Sequence, residues 1–107
     1  MITPEQMDKL RQFFGAYFHQ DWGIEYGTPE KTLSAAIRDH ESQRPELRRL
    51  IETFVAEHPD DEDLDQALWK DLACEYLPPA DGVSSRTWLL GVVARLSPPG
   101  PGPSATA

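Results

Sequence analysis

A single cysteine, Cys74, among 107 residues leaves no internal disulfide framework and fits a reducing compartment. Basic residues are scarce as well: ten lysines and arginines stand against eighteen aspartates and glutamates, for a net charge of −8. Nucleic-acid binding is driven by cations on phosphates, so this deficit argues against it. The converse role, partner to a basic protein, stays open. Long apolar runs are missing. The longest, Leu89 to Ala94, spans six residues and contains Gly91, where a membrane span needs about 20. The N-terminus carries Glu5 and Asp8 and has neither the basic start nor the apolar stretch of a signal peptide. The Pro-Gly repeats near the C-terminus lack the lysine and following helix of a phosphate loop. Ser84-Ser85-Arg86 lacks the glycine-flanked elbow of a nucleophilic serine.

What is present is an ordinary folded-domain composition, 39% hydrophobic and 26% charged, and a helical period throughout. Thr3-Pro4-Glu5-Gln6 reads as a capped helix start. Behind it Met7, Leu10, Phe14, Tyr17 and Phe18 share one face, which predicts a helix from Pro4 to about His19 with Gly15 inside it under a close neighbour helix. Gln20 to Gly27 breaks the period and reads as an ordered connection. Thr28-Pro29-Glu30 opens a second helix with Leu33, Ala36, Ile37 and His40 inward, ending near Glu41. Arg44-Pro45-Glu46 opens a third, with Leu47, Leu50, Ile51, Phe54 and Val55 as its stripe and Pro59 as its stop. The acidic run Asp60-Asp61-Glu62-Asp63-Leu64-Asp65 suits the N-terminus of a fourth, with Leu64, Ala67, Leu68 and Leu72 inward and Trp69 nearby. Leu77-Pro78-Pro79-Ala80-Asp81-Gly82 is a stiff turn. Ser84 caps a last helix carrying Trp88, Leu89, Val92, Val93 and Leu96. The expectation is an all-α compact bundle of about five helices over residues 1–97, with a disordered Pro/Gly-rich tail over 98–107.

Candidate chemistry is thin. Asp61, Asp63 and Asp65 have the 1, 3, 5 spacing of a calcium loop, but Gln66 stands at its glycine and Leu72 at its bidentate glutamate. A solvated helix start or a protein-docking surface accounts for the run. His19 and Asp21 lie close together, but a metal site needs three or four ligands, so no metal and no cofactor is expected. Cys74 lies beside apolar Leu72 and Ala73 and reads as a buried, inert side chain. The dense aromatics Phe13, Phe14, Tyr17, Phe18, Trp22 and Tyr26 read mainly as core, with a minority available as binding anchors. From the residues alone this is an acidic helical binding module, not an enzyme.

Two stretches extend that reading. Phe13-Phe14-Gly15-Ala16-Tyr17-Phe18-His19-Gln20-Asp21-Trp22, followed by Glu25-Tyr26-Gly27-Thr28, resembles the N-terminal signature of a family of immunity proteins from contact-dependent growth inhibition systems. Cys74-Glu75-Tyr76-Leu77-Pro78-Pro79-Ala80-Asp81-Gly82 and Ser84-Ser85-Arg86-Thr87-Trp88-Leu89 are similar to its closing turn and last helix. The resemblance covers about residues 10–97. It departs over 41–66, acidic run included, and in the proline-rich tail. It implies a helical, cytoplasmic bacterial protein that binds and blocks the C-terminal toxin domain of such a system, in many cases a nuclease. It carries no catalytic residues over. Its motif residues Tyr17, Gln20, Asp21, Trp22, Pro78, Asp81, Gly82, Arg86 and Trp88 are expected to be mostly scaffold. Asp60, Asp61, Glu62, Asp63 and Asp65 are the expected toxin-facing residues, steering a basic partner. The alternative is an acidic adaptor or regulatory module for some other basic protein. A monomer is the expected state.

Overall fold

Helices begin where the sequence supplies their caps. The structure, a computed structural model, describes residues 2–97; the expected tail over 98–107 lies outside the described residues. Thr3 Oγ1 accepts from the Gln6 amide at 3.1 Å and Gln6 Oε1 accepts from the Thr3 amide at 3.0 Å. That capping box opens α1, Pro4–Phe14. Thr28 caps α3, Pro29–Asp39, Asp60 caps α5, Asp61–Lys70, and Ser84 caps α6, Ser85–Leu96. Between them lie α2, Trp22–Tyr26, and α4, Arg44–Ala56. Two 3-10 turns, Glu41–Gln43 and Pro78–Asp81, join α3 to α4 and lead into α6.

Among the described residues there is no strand, and the all-α architecture matches the helical period of the sequence. Six α-helices replace the expected five, because the aromatic stretch after α1 behaves differently from its period. The predicted first helix continues to His19; the observed one stops at Phe14. Gly15 is the cause. A Cβ there would stand 3.1 Å from the Leu72 carbonyl oxygen and 3.1 Å from Ala73 Cβ, so the approach expected at Gly15 is real but comes from the chain leaving α5, not from a helix. The backbone turns once more, with Phe18 N–H donating to the Phe14 carbonyl at 2.7 Å. It is then held sideways by Glu75 N–H, which donates to the Phe18 carbonyl at 2.7 Å. The segment read as a connection, 20–27, holds the short helix α2.

The core forms where α4 packs along α6, with α5 against α6 and α1 against α4. Leu10, Phe13, Phe14 and Phe18 from the N-terminal quarter meet Leu47, Ile51, Phe54, Leu64, Leu68, Leu89 and Leu96, all fully or almost fully buried. Past α5, Ala73 takes a left-handed backbone (φ 54°), unusual for a residue with a side chain. The reversal lays Leu72 to Pro78 down with alternate residues, Leu72, Cys74, Tyr76 and Pro78, buried. Trp69, expected near the core, is 42% exposed. No described helix is long and apolar enough to cross a membrane.

Candidate binding surface

The two stretches that carry the family resemblance meet in space as one aromatic nucleus. Phe18 is its centre, with ring centroids 5.3 Å from Trp88, 5.8 Å from Tyr76 and 6.0 Å from Trp22. Trp88 closes the ring set against Tyr76 at 5.2 Å and Phe14 at 5.8 Å. Aromatic pairs at such separations add about 0.5–1.5 kcal/mol each beyond area burial. Polar bonds pin the periphery. Tyr17 donates to Asp39 Oδ2 at 2.7 Å, tying the turn after α1 to α3. Burial first, and then that bond, push the Tyr17 phenol up to about 12, and the same bond lowers the Asp39 carboxyl. Tyr76 donates to Asp81 Oδ2 at 2.9 Å, and burial followed by that carboxylate pushes it up to about 12 as well. Gly82, at φ 82°, supplies the left-handed step that ends the Pro78–Asp81 turn.

Arg86 closes a junction of three helices. Its guanidinium donates to the carbonyls of His58 at 2.8 Å and Pro59 at 2.9 Å, just past α4, and to Asp61 Oδ1 at 3.0 Å at the start of α5. A longer bond of 3.5 Å reaches the Val55 carbonyl in the last turn of α4, one of those a helix C-terminus leaves unpaired. Arg44 does the same at the end of α6, donating to Arg95 O at 2.8 Å and more distantly to Leu96 and Ser97. Arg11 donates to Asp71 O at 2.9 Å beyond α5. The sequence reading passed over Arg11 and Arg44, since an arginine's donors are assigned only once a distant helix end is placed beside them.

Of the motif residues, Tyr17, Asp81 and Arg86 make the bonds above, Gly82 ends the turn that holds the buried Pro78, and Trp22 and Trp88 stand in the aromatic nucleus. Gln20 and Asp21 lie exposed beside it, Asp21 at the start of α2. The acidic run is elsewhere. Asp60 accepts from the Asp63 amide at 3.0 Å and the exposed Asp61 pairs with Arg86. Glu62 and Asp63 are exposed and Asp65 half-buried; none of the three has an ion-pair partner among the described residues. Among those residues, no three His, Cys, Asp or Glu side chains stand together as a metal site. Cys74 is fully buried, and burial pushes its thiol up to about 12, so it carries no thiolate near neutrality. His19 bonds Glu25 at 2.7 Å and its Nδ1 accepts from the Asp21 amide, which supports a local backbone role.

A groove that the sequence reading missed runs between α3 and α6. It encloses about 400 Å³ between Leu33, Val83, Trp88, Gly91 and Val92, with Glu30, Asp81 and Arg95 at its edge. A smaller hollow of about 290 Å³ adjoins it across Tyr76 and Asp81, lined by Trp22, Glu75 and the half-exposed Leu77. Two of these residues, Tyr76 and Asp81, serve both. Arg86 and Trp88 leave α6 about 200° apart, so the groove and the acidic run occupy opposed flanks of that helix. No sequence pattern could pair Glu30 with Asp81, since the turn at Ala73 and the 3-10 turn together bring them to one edge.

A family profile described as CdiI immunity protein matches residues 6–96. Among solved structures the chain is similar to one described as the crystal structure of a CdiA-CT/CdiI complex from Y. kristensenii 33638. The two share 27% identity at a TM-score of 0.78, over 90% of this chain and 98% of that one. Among curated proteins none matches significantly.

Proposed function

Since the chain belongs to the CdiI immunity protein family and is a toxin-neutralising immunity protein, we propose that it holds the C-terminal toxin domain of its own system in a stoichiometric complex, and that this domain is a nuclease whose active site it covers. Charge carries the reading. A nuclease must present cations to phosphate, and this chain bears eighteen acidic against ten basic side chains. Several of those ten are turned onto the chain's own groups, as at Arg11, Arg44 and Arg86. The action is binding, not turnover, and its place is the bacterial cytoplasm, where nucleic acid is exposed to the toxin. Residues 1–97 form the working domain, acting as a monomer.

The toxin does damage while it is free, so capture must be fast. Complementary charge raises association to about 10⁸–10⁹ M⁻¹s⁻¹ from a neutral 10⁵–10⁶. Glu62, Asp63 and Asp65, with Asp60 and Asp61 behind them, form the steering edge. Exposed ion pairs add only about 0–1 kcal/mol each, so the affinity comes from apolar contact elsewhere on the surface.

Co-expression with the toxin domain encoded beside this gene tests the proposal. Cells die with the toxin alone and survive with both proteins, and purified nuclease activity falls to zero at one equivalent of the chain. Failure to rescue overturns the reading. Rescue of a toxin without nuclease activity removes the nuclease assignment, and residual activity in a saturated complex removes active-site coverage.

A further inference from the structure

The groove between α3 and α6 has a gap that the chain itself does not explain. Gly91 lies in the interior of α6, where glycine is the least favourable residue after proline. Apart from its chain neighbours and the backbone of its own helix, nothing among the described residues lies within 4 Å of where its Cβ would be, and its backbone is not left-handed. Gly15 is crowded by Leu72 and Ala73, and Gly27 and Gly82 take positive φ; Gly23, in the short α2, shares the open space of Gly91 but lines neither hollow. A helix-interior glycine without an internal reason, in the wall of an apolar groove, leaves room for something approaching from outside.

The surroundings indicate what approaches. The half-buried Val83 and Trp88 offer apolar surface over the buried Leu33 and Val92, while Glu30 and Asp81 edge the groove and Glu75 edges the adjoining hollow. The one cation among the lining residues, Arg95, donates to Ser34 Oγ at 2.8 Å. Three carboxylates around an apolar slot complement a basic protein face that carries an apolar side chain between lysines or arginines. We infer that this groove is the anchor site for the toxin domain, receiving an apolar side chain against Trp88 and Gly91 with flanking cations at Glu30, Asp81 and Glu75. The inference rests on the toxin-binding reading above and adds the place. Approach is steered from one flank of α6, and the contact that holds is made on the other.

The test uses the full chain and the purified toxin domain. Gly91→Gln puts a side chain into the groove at a position with free space, so the variant melts no lower than the wild type. It should bind the toxin domain at least tenfold more weakly, mainly through faster dissociation. A second variant, Glu30→Lys with Glu75→Lys, reverses two exposed charges and should weaken binding by at least tenfold while keeping the helical spectrum. Wild-type affinity in either folded variant overturns the inference. So does a concentration-dependent dimer of the wild-type chain that Gly91→Gln abolishes, since the groove would then belong to a second copy. Absence of binding by the wild-type chain is a different result and overturns the toxin-binding reading.

Discussion

Replacing Gly15 and Gly91 separately with alanine sets helix propensity against packing within one chain. Propensity alone favours alanine over glycine at an interior helix position by about 0.8–1 kcal/mol. At Gly91 nothing opposes that gain, because no described atom beyond its neighbours and its own helix backbone lies within 4 Å of the new methyl. Gly91→Ala should therefore stabilise by roughly 0.5–1 kcal/mol, and a domain of this size gains about 4–8 °C in Tm per kcal/mol. At Gly15 the backbone is right-handed helical, so alanine is conformationally allowed, but its methyl would stand 2.8 Å from Arg11 O, 3.1 Å from Leu72 O and 3.1 Å from Ala73 Cβ. Two of those neighbours are backbone oxygens and cannot rotate aside. Overpacking of this kind costs about 1–3 kcal/mol, and a residue at the very end of α1 recovers only part of the propensity gain. The net expectation for Gly15→Ala is a loss of about 1–2 kcal/mol and a Tm lower by roughly 5–15 °C. Thermal and urea unfolding, followed by far-ultraviolet circular dichroism and tryptophan fluorescence, reads both variants. The reasoning is refuted if Gly15→Ala melts at or above the wild type, or if Gly91→Ala melts below it.

Arg86→Ala removes donors from two helix-end carbonyls and should cost about 2–4 kcal/mol in urea unfolding. Asp61→Asn touches only the partly exposed ion pair and should cost under about 1 kcal/mol; equal losses would put the energy in the pair and not in the carbonyl clamp. Folding holds the phenols of Tyr17 and Tyr76 up at about 12, against about 10 in the open chain. A raised pKa contributes in full below the unfolded value and is lost as pH climbs through the folded one. Stability should thus fall between about pH 10 and 12, and Tyr17→Phe with Tyr76→Phe should flatten that fall; a wild-type profile that is flat over this window would refute it. Neutralising the acidic run, with asparagine at Asp60, Asp61, Asp63 and Asp65 and glutamine at Glu62, keeps the helix cap. It should slow association with the toxin domain and flatten its dependence on salt, and an unchanged on-rate at low ionic strength would remove the steering role.

Caps and stripes were legible because they are local. Thr3, Thr28, Asp60 and Ser84 each accept an amide three residues on, and the apolar stripes of α3 to α6 are the buried residues. The first stripe was over-read. Tyr17 and Phe18 keep the helical spacing, but they lie in the turns past α1, where the Phe18 carbonyl is held by Glu75, nearly sixty residues away. The inward role of Trp22 and Trp88 followed from their size, whereas the arginine clamps on helix ends did not, since a guanidinium's partners depend on tertiary placement. The acidic run was read as a helix start, and Asp60 and Asp61 serve as one. Gly91 appeared in the sequence only as a break in an apolar run. The empty space above it depends on where α3 lies.

The aromatic nucleus has a consequence for timing. Phe14 and Phe18 are translated some seventy residues before their partner Trp88 in α6. Until then the nascent chain carries bare rings and an unsealed Tyr76, and a fragment that stops short of α6 is prey for proteases. Resistance thus comes only with molecules translated through α6, because a shorter product has no seal over Phe18 and Tyr76.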